Sequence, residues 1–397
     1  MPRLDGMALP KDWRDGCFAA RVMTKEGPSA VAVLRGAAFD MTPAFGTTSA
    51  WLNEPDPIAA IRARGVPMPI DLPAALANSA HGRRDAAKPW LLAPVDLQAV
   101  KACGVTYVRS MLERVIEERC RGDASQAEAV RAEVRAILAG DGSAAGGDDL
   151  SAVKPGSAEA MRLKAALVQK GWWSQYLEVG IGPDAEIFSK CQPMASVGPG
   201  ALIGVHPISQ WSNPEPEAVL AVNAKGAILG AMLGNDVNLR DVEGRSALLL
   251  GRAKDNNASC ALGPVLRLFD AGFGLEDVRG AEITLSIEGT DGFRLEETGP
   301  IGAISRGLRD IVGQLIGPHH QYPDGAALFL GTPFSPSKDR GAPGQGFTHK
   351  PGDVVRIATP RLGALVNEVA RTDACPPWSF GTGALFANLA QRGLPRR

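Results

Sequence analysis

Glu215-Pro216-Glu217-Ala218-Val219-Leu220-Ala221-Val222 leads into Asn223-Ala224-Lys225-Gly226, and Ala227-Ile228-Leu229-Gly230-Ala231-Met232-Leu233-Gly234-Asn235-Asp236 follows. Two apolar runs of strand length flank a group of turn formers, the pattern of a β-hairpin. Residues two apart on a strand share a face, so Glu215 and Glu217 project together. With the turn centred near Lys225, antiparallel pairing puts Glu215 roughly opposite Gly234 or Asn235, and Asp236 lies just past the returning strand. Three carboxylates therefore meet at one hairpin end, with no cationic neighbour in sequence. At close range they repel. Two readings stand: a hard divalent cation resolves the repulsion, Mg²⁺, Mn²⁺ or Ca²⁺ rather than zinc, or the three are solvated acids.

Working outward, the same grammar recurs. Glu282–Glu288 and Phe293–Glu297 flank Gly289-Thr290-Asp291-Gly292, a second hairpin. Asp353–Ala358 and Gly363–Val369 flank Thr359-Pro360-Arg361-Leu362, a third. One helix is expected over Gly244–Lys254. Towards the N-terminus, Val31–Leu34 and Trp90–Leu92 read as short strands. Apolar spacing and a Ser125-x-x-Glu128 capping pattern predict two helices over 110–139, broken near Gly122-Asp123. The Gly/Ser/Ala/Asp-rich stretch from Gly140 to Ser157 reads as a linker. The expected organisation is α+β: a smaller α/β N-terminal domain over 1–150 and a mostly antiparallel domain over 160–397.

Composition narrows the function classes. The 397 residues are 45% apolar and 21% charged, with a formal net charge of −1. That balance points to neither nucleic acid nor an anionic membrane as partner. The 46 glycines and 30 prolines suit a chain of many turns. Six scattered cysteines without a C-x-x-C pair read as buried free thiols of a reducing compartment. Met1–Pro10 lacks an apolar signal core, and no apolar run approaches the roughly 18 residues that span a bilayer. A cytoplasmic protein is expected.

Other constellations are weaker. Gly180-x-Gly182-x-x-Ala185 matches a loose dinucleotide fingerprint, but strand-like Ile187-Phe188 follows where a helix is required. His206 and His349 have no evident acidic neighbour, and no serine or cysteine sits in a nucleophile motif.

From about Ile187 to Leu389 the chain resembles the fumarylacetoacetate hydrolase superfamily. The matching stretches are Phe188-Ser189-Lys190; Asn213 to Glu217; Gly234-Asn235-Asp236-Val237-Asn238-Leu239-Arg240-Asp241; Ala253-Lys254; Gly263-Pro264; Gly331-Thr332-Pro333; Pro351 to Val355; and Leu362-Gly363-x-Leu365-x-Asn367. The long N-terminal extension and Lys254-Asp255-Asn256-Asn257-Ala258-Ser259 resemble the 2-keto-3-deoxy-pentonate dehydratase branch.

The resemblance implies a mixed β-roll-like catalytic domain and Mg²⁺ at Glu215, Glu217 and Asp236, with Mn²⁺ or Ca²⁺ as substitutes. It implies Glu186 and Lys254 as proton-transfer groups, and Thr332, Asn257 and Arg240 near the substrate. The implied activity is a hydro-lyase converting a 2-keto-3-deoxy-pentonate to 2-oxoglutarate semialdehyde (2,5-dioxopentanoate). The implied partners are a small sugar acid and further copies of the chain, in a homodimer or homotetramer. C–C hydrolysis of a 2,4-diketo acid is the alternative. It is disfavoured because Gly180 to Ser196 holds no histidine and Asn257 stands where hydrolases usually carry Asp.

Overall fold

The computed structural model describes residues 8–107, 111, 154–169, 171–336, 338–340 and 346–395. Apart from Met111, the helices expected over 110–139 lie outside the described residues, as does the expected linker up to residue 153.

Eighteen strands are described: β1 (Cys17–Thr24), β2 (Gly27–Leu34), β3 (Ala37–Asp40), β4 (Val66–Pro67), β5 (Trp90–Leu92), β6 (Ala99–Gly104), β7 (Glu186–Cys191), β8 (Leu202–Val205), β9 (Ser212–Asn213), β10 (Pro216–Val222), β11 (Ile228–Asp236), β12 (Asn238–Leu239), β13 (Cys260–Leu268), β14 (Glu282–Glu288), β15 (Arg294–Pro300), β16 (Ala326–Phe329), β17 (Val354–Thr359) and β18 (Gly363–Arg371). The large sheet runs β4-β3-β2-β1-β13-β11-β10-β16-β6-β7, with β5 on β1; a smaller one runs β15-β14-β17-β18-β8. Pairing is antiparallel except for β16 with β6 and β18 with β8. The large sheet draws strands from both sides of residue 150.

The three expected hairpins form as β10–β11, β14–β15 and β17–β18. β10 is buried along its whole length because both sheet faces are covered. Ala218, Leu220 and Val222 pack with Ile283, Leu285, Ile287 and Ile357 of the small sheet. Val219 and Ala221 face the other way, towards a core that includes Met41, Trp51 and Ile61. This two-sided burial holds the β10–β11 end, with its acids, in the middle of the protein.

Two expectations need correction. The helix expected over Gly244–Lys254 is two short pieces, Ala247–Leu249 and Leu250–Lys254, with a separate short helix, Arg240–Glu243, before them. Ser246 interrupts it by accepting from the Leu248 N–H, a local side-chain bond that competes with helix continuation. The hairpin register pairs Pro216 with Asn235, so Glu215 sits across from Asp236 rather than residue 234 or 235. An irregularity between Ala221 and Val222 supplies the offset. Gly182 follows the helix Gln175–Ile181 and precedes β7, the reverse of a dinucleotide-binding order.

Candidate metal centre

Glu215, Glu217 and Asp236 each bring a carboxylate oxygen within 4.8 Å of the others, and all three residues are buried. Local sequence explains the convergence. Pro216 opens β10, where its missing N–H costs no ladder bond, and it separates the two glutamates by the required two residues. Asp236 is the last residue of β11. Gly234 opposes Glu217 and must be glycine, because a Cβ there would lie 2.2 Å from the Phe329 ring.

The sequence shows no cation beside the triad, and the fold brings two. Lys254 Nζ donates to Glu215 Oε2 at 2.6 Å and to Asp236 Oδ2 at 3.0 Å. Lys190 Nζ lies 3.1 Å from Asp236 Oδ1, an ion pair by distance whose angle falls outside hydrogen-bond geometry. Two ammonium groups still leave three carboxylates in the surplus. Burial, then Asp236 and Glu215, push the Glu217 carboxyl well above the ordinary value, against the pull of Lys254 and the Gly331 N–H. Burial works against the Lys254 ammonium, but Asp236 and Glu215 outweigh it and hold its proton more tightly than usual.

Oxygen-only donors of this charge suit a hard divalent cation. Asp236 Oδ1, buried yet accepting no hydrogen bond, adds a ligand atom for one. The residues therefore fit Mg²⁺.

Around the triad opens a cleft of about 550 Å³, its mouth included, lined also by Cys103 to Thr106, Tyr176, Glu186, Phe188, Glu243, Lys254, Gly331, Thr332 and Ser335. Gly331 has φ +89° and donates its N–H to Glu217 Oε2 at 2.7 Å. A Cβ on it would lie 2.1 Å from Thr106 Oγ1, so glycine is required for both conformation and space. Glu186 starts β7 opposite Gly104 of β6, and a Cβ on Gly104 would lie 1.8 Å from Glu186 Oε2. Thr332 Oγ1 reaches the carbonyls of Phe334 at 2.6 Å and Pro216 at 3.2 Å.

Six of the eight expected site residues thus share one cavity: Glu186, Glu215, Glu217, Asp236, Lys254 and Thr332. Two do not line it. The Asn257 amide turns to the carbonyls of Thr372 and Pro376 at 3.0 and 3.3 Å. The Arg240 guanidinium stacks on Trp211, 4.3 Å from the ring centroid. Sequence reading missed Lys190, Gly104, Tyr176 and Glu243. It also gave His349 no acidic partner, although Asp353 Oδ2 lies 3.3 Å from His349 Nδ1; that pair is buried and lies outside the cavity lining. No histidine is among the described lining residues.

A two-sheet scaffold enclosing clustered carboxylates defines a class of protein whose oxygen donors could hold a hard cation. Residues 212–370 match the family model described as fumarylacetoacetate (FAA) hydrolase C-terminal. The chain is 31% identical over 186 residues to 2-dehydro-3-deoxy-D-arabinonate dehydratase of Saccharolobus solfataricus, covering 47% of this chain and 59% of the relative. It is 30% identical over 194 residues to a probable 2-keto-3-deoxyxylonate dehydratase of Haloferax volcanii, covering 49% and 63%. The match thus spans about three fifths of these relatives' length. Among solved structures, 2-keto-3-deoxy-D-arabinonate dehydratase complexed with magnesium and 2,5-dioxopentanoate aligns over 89% of this chain and 98% of that one, with TM-score 0.59 and 21% identity. Likeness at that identity shows a shared fold. Among the described residues no helix is long and apolar enough to cross a membrane.

Proposed function

We propose that this protein is a divalent-cation-dependent hydro-lyase that dehydrates a 2-keto-3-deoxy-pentonate, of arabinonate or xylonate type, to 2,5-dioxopentanoate. The observation that carries the reading is one cavity in which Glu186 and Lys254 accompany the Glu215–Glu217–Asp236 triad. Sequence similarity to enzymes named for this activity supports it.

Glu215, Glu217 and Asp236 would hold the cation, Mg²⁺ first. When bound, it supplies Lewis acidity to the 2-oxo group of the substrate and so acidifies C3–H. The chain's own groups do the rest. Glu186, fixed at the start of β7, is assigned to the C3 proton. Lys254, whose ammonium lies between Glu215 and Asp236 in the cavity, is assigned to the departing C4 hydroxyl as acid. Loss of water leaves a carbon–carbon double bond conjugated with the carbonyl. That conjugation acidifies C5–H, and proton return along the chain converts the C5 alcohol carbon to an aldehyde. Thr332 and the backbone beside it are assigned to the substrate carboxylate; its hydroxyl must then turn from the Phe334 carbonyl.

The test is incubation with 2-keto-3-deoxy-pentonate and Mg²⁺, with aldehyde read by a coupled NAD(P)-linked semialdehyde dehydrogenase. Aldehyde formation is expected. Pyruvate release in its place would transfer the protein to the C–C hydrolases, and no turnover of either kind would sink the assignment.

A further inference from the structure

Lys190 is the most enclosed charged side chain near the cavity, with a relative exposure of 0%, yet it does not line the cavity. Its amino group meets four partners from three chain segments. It lies 3.1 Å from Asp236 Oδ1. It donates to the carbonyl of Val237 at 3.4 Å, to Ser259 Oγ at 3.3 Å and, closest of all, to the carbonyl of Lys254. Ser259 in turn donates to that Lys254 carbonyl at 2.8 Å.

The backbone is shaped to deliver this group. β7 pairs with β6 as Lys101↔Ser189 and Val100↔Cys191, so Lys190 is an extra residue in the ladder. A bulge of this kind re-aims a side chain. Glu186 and Phe188, earlier on the same strand and of the same parity, line the cavity, while Lys190 passes beneath it. Asp236 is thus held from two sides, Lys254 on one oxygen and Lys190 on the other.

We propose that Lys190 is the positioning residue of this centre: from beneath the cavity it fixes the Asp236 carboxylate and, through the Lys254 carbonyl, the end of the Leu250–Lys254 helix that carries the cavity lysine. Its ammonium supplies a counter-charge that does not compete for the cavity. The inference rests on the metal reading of the triad. Outer-shell partners of this kind typically contribute about 10–100-fold to metal affinity or activity.

The test uses the full chain carrying Lys190→Met, with Mg²⁺ titrated calorimetrically into chelator-treated protein. A Kd weakened about 10–100-fold is expected, together with a kcat loss of similar size at saturating Mg²⁺ that KM alone does not absorb. Lys190→Arg, which keeps charge and donors, should recover part of both. A folded Lys190→Met protein with unchanged Mg²⁺ affinity and kcat overturns the proposal. Should Lys190→Met fail to fold, the double variant Lys190→Met/Asp236→Asn leaves less unpaired charge buried, and its thermal unfolding is compared with the single variant's. Recovered folding supports Asp236 as the group Lys190 serves, and equal failure overturns it. Wild-type protein that binds no Mg²⁺ would sink the metal reading itself, a result distinct from either of these.

Discussion

Among the described residues, the charge cluster around the buried Arg340–Asp353 pair and the buried acidic triad have opposite characters. In one, Arg340 grips Asp353 with two hydrogen bonds of 2.6 and 2.7 Å and reaches Asp291 at 2.9 Å, while Lys350 meets Asp291 and His349 leans on Asp353. In the other, three carboxylates share two lysines beside an open cleft. Burial pushes Asp353 up, but hydrogen bonds from His349, Arg340 and the Lys350 N–H outweigh it and hold its carboxyl below the ordinary value. Glu217 goes the other way, well above. A cluster that satisfies its own charges holds structure together. One whose third carboxyl keeps its proton for want of a counter-charge, next to space, is arranged for a cation from solution.

The largest expected effect that could break this contrast is loss of the cation. EDTA should abolish turnover and added Mg²⁺ or Mn²⁺ should restore it. Glu217→Gln should weaken Mg²⁺ binding by more than the roughly 100-fold typical of outer-shell changes. Because burial already favours the uncharged carboxyl there, the same variant should leave metal-free stability near pH 4 within about 1 kcal/mol of wild type and raise it at neutral pH. Full activity in chelated enzyme would place the surplus acids among structural groups.

Next in size is Lys254→Met. As an acid–base group, Lys254 should contribute roughly 10²–10⁴-fold to kcat at saturating Mg²⁺. Circular dichroism should show the fold retained with Mg²⁺ present, since the cation replaces the missing charge. Near-normal kcat would return Lys254 to a charge-balancing role alone.

Arg340→Met sharpens the comparison from the other side. Removing one partner of a buried ion pair typically costs about 3–5 kcal/mol, because the remaining charge is left uncompensated. The urea midpoint should fall accordingly. Mg²⁺ affinity should stay within about three-fold, as expected of sites without shared partners. An affinity loss as large as that of Glu217→Gln would mean that the clusters are coupled.

The contrast also explains what could be read from the sequence. Glu215, Glu217 and Asp236 were legible because strand parity and a short turn are local: the distance from Pro216 to Asn235 is set within one hairpin. Glu186, Lys254 and Thr332 came from motif order. Lys190 stayed hidden because its partners Lys254 and Ser259 lie 64 and 69 residues away, though its parity with Glu186 on one strand was a usable signal. Gly104 and Gly331 matter through the space they leave, which no pattern of side chains reports. Arg340 and Asp353 are 13 residues apart, with a segment of unmarked sequence between them. Arg240 and Asn257 sat in matching motifs, but Trp211 and the Thr372 and Pro376 carbonyls hold them elsewhere.

The smallest expected effect separates the clusters by the sign of their pH dependence. Stability rises with pH wherever the unfolded chain binds more protons than the folded one, by about 1.4 kcal/mol per pH unit for each proton of difference. Asp353 is depressed when folded, so its contribution is fully present above its unfolded value near 3.8 and is lost as pH falls towards the lower folded value. Glu217 in metal-free protein is raised, by burial first and then by Asp236 and Glu215. Above its unfolded value near 4.5 the unfolded chain has released that proton while the folded chain keeps it, so metal-free stability should decline as pH rises from there. Denaturation of EDTA-treated protein across pH 3–8, compared with Asp353→Asn and Glu217→Gln, isolates each limb: the first variant should flatten the acid limb, the second the decline above it. Saturating Mg²⁺ should remove the Glu217 decline, because cation binding favours the ionised carboxylate and releases the proton. If Glu217→Gln and wild type trace parallel curves without metal, Glu217 is ionised in the folded chain and the surplus of charge beside the cleft is compensated by groups other than those named here.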